Sequence, residues 1–101
     1  MATRTWKLGE LSRGGIITVE VNKQKENAVV IAKDWDTSAG YNKGSNQSNA
    51  KEWDRKYFDL NKRGIYRDLL DYLCDLTTSY YADMIINWME VKADKNLKSL
   101  F

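Results

Sequence analysis

Up to residue 60 the hydrophobic and polar positions repeatedly alternate, the period of half-buried strands. In "RTWKLGEL" at 4–11, Trp6 and Leu8 fall on one face, and "SRGG" at 12–15 is a turn signal. "IITVEV" at 16–21 is β-branched and sets Ile17, Val19 and Val21 against Ile16, Thr18 and Glu20. After the polar turn "NKQKEN", "AVVIAKDW" at 28–35 is apolar and then charged, as suits a third strand leaving a core. "TSAGYNKGSNQSNA" at 37–50 has no period and is rich in Ser, Asn and Gly, so it reads as a long loop of the kind that is mobile or functional. Alternation resumes in "EWDRKYFDL" at 52–60, with Trp53, Arg55 and Tyr57 on one face and Phe58 and Leu60 on the other. Four strands in succession predict an antiparallel meander.

The period then changes. Asn61 is a plausible N-cap, and Ile65, Leu69, Leu70, Leu73, Leu76, Tyr80, Met84, Ile85, Trp88 and Met89 recur three or four residues apart. This predicts one long helix over about 62–91, with Thr77, Thr78 and Ser79 marking a kink or a break into two. Residues 92–101 read as a polar tail that frays unless Leu97, Leu100 and Phe101 dock. The expected architecture is a single α+β domain over 1–91, a four-stranded antiparallel sheet packed on one long C-terminal helix.

Composition removes more functions than it adds. The 101 residues suffice for one core, and 16 basic against 14 acidic residues leave a net charge of +2, so a basic site has to be local. Histidine is absent, which excludes Ser-His-Asp and Cys-His nucleophile systems and histidine metal sites. Neither GxGxxG nor GxxxxGK[ST] occurs. The single Cys74, between Leu73 and Leu76, is expected to be a small buried hydrophobe in a reducing setting. With no apolar run like a secretory leader or a membrane span, the expectation is a soluble, cytoplasmic, non-enzymatic protein with no cofactor and no metal.

Local chemistry offers three candidate sites. Trp53, Arg55 and Tyr57 on the sheet face away from the helix, with Lys33, Trp35, Tyr41 and Lys43 nearby, are the parts of a single-strand nucleic-acid surface, where bases stack on rings and cations meet phosphates. A Trp or Tyr on a half-buried strand is more often a cross-strand packing partner, which is the rival reading for each ring taken alone. Lys62, Arg63 and Arg67 gather at a helix N-terminus, beside free N–H groups and a Gly64 that allows close approach, which suits an anion; Asp59, Asp68 and Asp71 are placed to neutralise them. Tyr72, Tyr81, Ile86 and Trp88 widen the apolar helix face beyond what one sheet requires, which points to a homodimer or a protein partner. "DRK" at 54–56 after Asp34 imitates a metal-dependent nuclease spacing, without the helix that leads such folds.

The segment "YFDLNKRGIYRDLLDYL" at 57–73, a strand ending at Leu60 followed by a helix carrying Ile65, Leu69, Leu70 and Leu73, resembles the whirly and PUR type of single-strand-binding domain. The resemblance implies a dimer that lays single-stranded DNA or RNA across its sheets with aromatic and basic side chains. The near-neutral charge supports a rival expectation, a protein-interaction or inhibitor module, including virus-encoded ones that block a host or defence factor. A variant of it captures a small nucleotide with Arg63 and Arg67.

Overall fold

A computed structural model describes residues 1–8, 15–33 and 52–99. The expected loop at 37–50, and Trp35, Tyr41 and Lys43 with it, lie outside the described residues. Strands β1 (Ala2–Lys7), β2 (Ile16–Asn22), β3 (Asn27–Lys33) and β4 (Glu52–Asp59) form one antiparallel sheet in the order β1-β2-β3-β4, the meander that the alternation predicts. β1 begins and ends earlier than the 4–11 expected for it.

One sheet face is set by register. Ile17, Val19 and Val21 of β2 stand beside Trp6, Arg4 and Ala2 of β1 and beside Ala32, Val30 and Ala28 of β3, and the row continues into Asp54, Lys56 and Phe58 of β4. Apart from the half-buried Ala2, the apolar members of this row are buried in the main core. Four strands spaced about 4.8 Å apart make this face about 15 Å wide between its outer strands, whereas one helix is about 10 Å across.

The expected single long helix is therefore replaced by two, α1 (Ile65–Leu76) and α2 (Ser79–Ala93), which pack on each other, α1 toward β4 and α2 toward β2. Length points the same way. A helix over 62–91 would run about 45 Å, while strands of six to eight residues run only about 20–26 Å. So does phase. The buried residues of α1 are Ile65, Leu69, Leu73 and Leu76, and those of α2 are Ala82, Ile85, Ile86, Met89 and Ala93. On one continuous helix the two sets would be centred about 140° apart, and no single sheet face could bury both.

The break falls at the Thr77–Thr78 pair. Thr77 leaves helical geometry at φ −146°, ψ −135°, its N–H closing the last turn of α1 on Leu73 O at 2.9 Å. Thr78 is extended and caps α2, its hydroxyl accepting from Tyr81 N–H at 3.4 Å. Cys74, expected to be buried, is exposed, because it lies on the side of α1 opposite Ile65 and Leu76.

Two further boundaries differ from expectation. The N-cap of α1 is Gly64 rather than Asn61, at φ 81°, a left-handed conformation that favours glycine; the space around its Cα is open. Part of the chain expected to fray beyond 91 is docked, as Leu97 shows. α2 continues to Ala93, and a 3-10 turn at Leu97–Ser99 returns the fully buried Leu97 to the core, its N–H donating to Glu90 Oε2 at 2.9 Å.

Asn61 ties three turns together instead. Its side-chain amide donates to Glu26 of the β2–β3 turn, and its carbonyl oxygen accepts from Lys95 just past α2. Lys95 Nζ lies 3.6 Å from the Glu26 carboxylate, and Leu60 N–H donates to Glu26 O at 2.9 Å. The Asn61 hydrogen bond, then the Lys95 charge, hold the Glu26 carboxyl below the usual carboxylate range.

These contacts can be tested by two stability experiments. Thr78→Ala is expected to cost about 0.5–1 kcal/mol in urea unfolding, the lower part of the N-cap range because the bond is long; an unchanged midpoint would show that the cap does not hold the break. A carboxyl with a lowered folded pKa adds stability that is fully present above its unfolded value of 4.5 and is lost as pH falls through the folded value. The midpoint difference between wild type and Glu26→Gln should thus be full at neutral pH, begin to shrink as the pH drops below the unfolded value and close only below the folded one; a difference that ignores pH would refute this linkage.

Candidate functional site

The sheet face away from the helices carries Thr3, Thr5 and Lys7 of β1, Ile16, Thr18 and Glu20 of β2, Val29, Ile31 and Lys33 of β3, and Glu52, Arg55 and Tyr57 of β4. Of the expected nucleic-acid set, Lys33, Arg55 and Tyr57 share this face, and Tyr57 is 71% exposed. Trp53 does not join them. The register slips between Ala32 and Lys33, so that Trp53 is the extra residue of a bulge, half-buried against the main core.

That bulge also commits Arg55. Residues three apart on a regular strand point to opposite faces, but the inserted residue returns Glu52 to the face of Arg55. The pair is bidentate, with Nη2 to Oε1 at 2.7 Å and Nε to Oε2 at 3.0 Å. The hydrogen bond to Glu52, with Tyr57 second, pushes the guanidinium pKa further up, and the same bond lowers that of Glu52. Lys7, Lys33 and Arg55 are matched on this face by Glu20, Glu52 and the Asp59 that stands opposite Asn27, so the described part of the face has no excess of positive charge.

At the start of α1 the cations are largely answered by neighbouring carboxylates. Lys62 Nζ contacts Asp68 Oδ2 at 2.6 Å, and Arg67 pairs with Asp71 one turn on at 3.3 Å. Arg63 is exposed in the preceding turn. Gly64 serves the backbone conformation of that turn.

The residues expected to form a partner face are mostly used within the chain. Ile86 is wholly buried in the core, which corrects its expected place on a surface. Trp88 is half-buried with its ring edge-to-face on Trp6 at 5.4 Å. Tyr81 is half-buried against Tyr80 at 5.2 Å. Tyr72 donates to Asp54 Oδ2 at 2.5 Å and packs on Phe58; burial first, then the Asp54 bond, pushes its hydroxyl pKa up. Asp54 is thus engaged by a phenol, and Lys56 Nζ lies over the rings of Phe58 and Tyr72 at 5.5 and 5.1 Å. Among the described residues no three carboxylates or thiols converge to hold a metal ion.

A groove of about 520 Å³ that residue patterns alone did not single out lies between β4 and α1. Its lining joins four consecutive residues of β4, Lys56 to Asp59, to Ile65, Asp68, Asp71, Tyr72 and Asp75 from one side of α1, with Lys62 at one end. Carboxylates outnumber ammonium groups in this lining by four to two. The Asp68, Asp71 and Asp75 spacing was readable as a helix stripe. What it faces depends on where α1 lies over the sheet.

No protein-family model, no curated protein and no solved structure matches the chain.

Proposed function

We propose that this chain is a protein-interaction domain whose working surface is the groove between β4 and α1. The observation that carries this reading is the lining itself, a run of edge strand facing one side of a helix, with aromatic and acidic side chains between them. Its volume falls in the range of ligand-binding clefts. Electrostatics agree. The cations that would draw a phosphate backbone, Arg55, Lys62 and Arg67, are paired with Glu52, Asp68 and Asp71, and exposed pairs of this kind leave little net field.

A single-stranded nucleic-acid binder is the second reading, favoured by the exposed Tyr57 beside Arg55 on the far sheet face and by the order of four strands and a helix that resembles the whirly and PUR type. A chemically different surface carries each reading, so mutations separate them.

Asp71 and Asp75 are exposed, and their joint reversal, Asp71→Lys with Asp75→Lys, should leave the fold intact. A stoichiometric protein partner recovered by the tagged wild-type chain is expected to be lost, by about tenfold or more, from this variant and kept by Tyr80→Ala. A partner retained by the charge-reversed chain would place the surface elsewhere. For the second reading, labelled oligonucleotides at about 50 mM salt are the sensitive probe. The expected outcome is no salt-dependent binding; binding abolished by Arg55→Ala with Tyr57→Ala would transfer the function to the sheet.

A further inference from the structure

Resting on the interaction reading above, we infer that the groove takes an extended, lysine- or arginine-bearing segment of another polypeptide, which adds to β4 as a fifth strand and lies against α1. β4 is the last strand of the sheet and pairs on one side with β3 among the described residues, so a row of its backbone N–H and C=O groups points away from the sheet. Such edges are templates for another strand, and shortness, proline, a covering element, a bulge or charged side chains blunt them. β4 is the longest strand of the four, and the chain contains no proline. The bulge at Trp53 disturbs only its beginning, leaving 54–59 regular.

The lining shows that this edge is presented to the groove. Side chains of Lys56 and Phe58 point to one face of the sheet and those of Tyr57 and Asp59 to the other, so what all four share on the groove side is the backbone edge. An added strand would draw affinity from main-chain hydrogen bonds, and specificity from what its alternate side chains meet. On one side those side chains meet Tyr72 and the carboxylates of α1.

Charge chooses the occupant. Asp59, Asp68, Asp71 and Asp75 face Lys56 and Lys62; Lys62 is held by Asp68, and Arg67, outside the lining, pairs with Asp71, so the carboxylates keep the majority by four to three when Arg67 is counted with the groove. A nucleic-acid strand would set phosphates against these carboxylates, whereas a basic peptide meets them with complementary charge. Spacing agrees as well: Asp71 and Asp75 are one helical turn apart, about 6 Å along the axis, and same-face side chains of a strand recur at roughly 7 Å.

The probe is a short peptide alternating lysine with valine, compared with its twin carrying glutamate for lysine, each titrated into the isotopically labelled full chain and followed by NMR. The lysine peptide is expected to shift signals of β4 and α1, to slow hydrogen exchange at alternate β4 amides, and to lose about tenfold in affinity on Asp71→Asn with Asp75→Asn, while Tyr80→Ala binds as wild type. Equal binding of the glutamate peptide overturns the charge assignment. Binding without protection of β4 amides overturns strand addition. If neither peptide binds up to about 1 mM, the inference fails, while a stoichiometric partner lost on charge reversal of α1 would still uphold the interaction reading.

Discussion

The sheet face formed by Ile17, Val19, Val21, Ala28, Val30 and Ala32 has to be covered, and its dimensions decide most of the remaining architecture. It is too wide for one helix and its strands are too short for a long one. A second helix beside the first satisfies both limits, and the Thr77–Thr78 pair supplies the reversal because threonine loses little by leaving a helix and gains a cap by starting the next. Covering the face with two helices also removes the surplus of apolar side chains. Ile86 and Trp88, surplus on one long helix, become core and core-edge residues once α2 turns its own side to the sheet.

Placing two helices over the sheet has a cost at its margin. α2 covers β2 while α1 is shifted toward β4, so that one flank of α1 stands over the edge of the sheet rather than its middle. The groove is that margin. Its polar lining results from the same placement, since Asp68, Asp71 and Asp75 occupy the flank of α1 that Leu69, Leu73 and Leu76 leave free. Elsewhere the margin is closed by polar links. Asn61, Glu26 and Lys95 join the ends of three elements near the turn before α1, and Leu97 is drawn in by the Glu90 carboxylate.

The electrostatic character of the molecule is one of local cancellation. A bulge of one residue brings Glu52 to Arg55, and one helical turn brings Asp71 to Arg67. Neither pairing alters the net charge. Both change which surface is available to an anion, because a paired cation has to be released before it can meet a phosphate.

Much of this was legible in the residues. Alternation along 16–21 and the β-branched apolar run at 28–32 determined two central strands, and the change of period after Leu60 determined that helix follows, because side-chain periods of two and 3.6 are imposed by local backbone geometry. The break was legible too, in the phase difference between Ile65–Leu76 and Ala82–Ala93, which pooling the apolar residues into one wide stripe concealed. Neutralisation of Lys62 and Arg67 was readable as neighbouring opposite charges. Only the tertiary structure decided that Trp53 leaves the far face, that Asn61 is a brace rather than a cap, and that the acidic flank of α1 looks across at the edge of β4. Each of these depends on residues distant in sequence. A bulge is a mismatch between two strands, and a groove exists only where two elements fail to meet, so neither leaves a period in the chain.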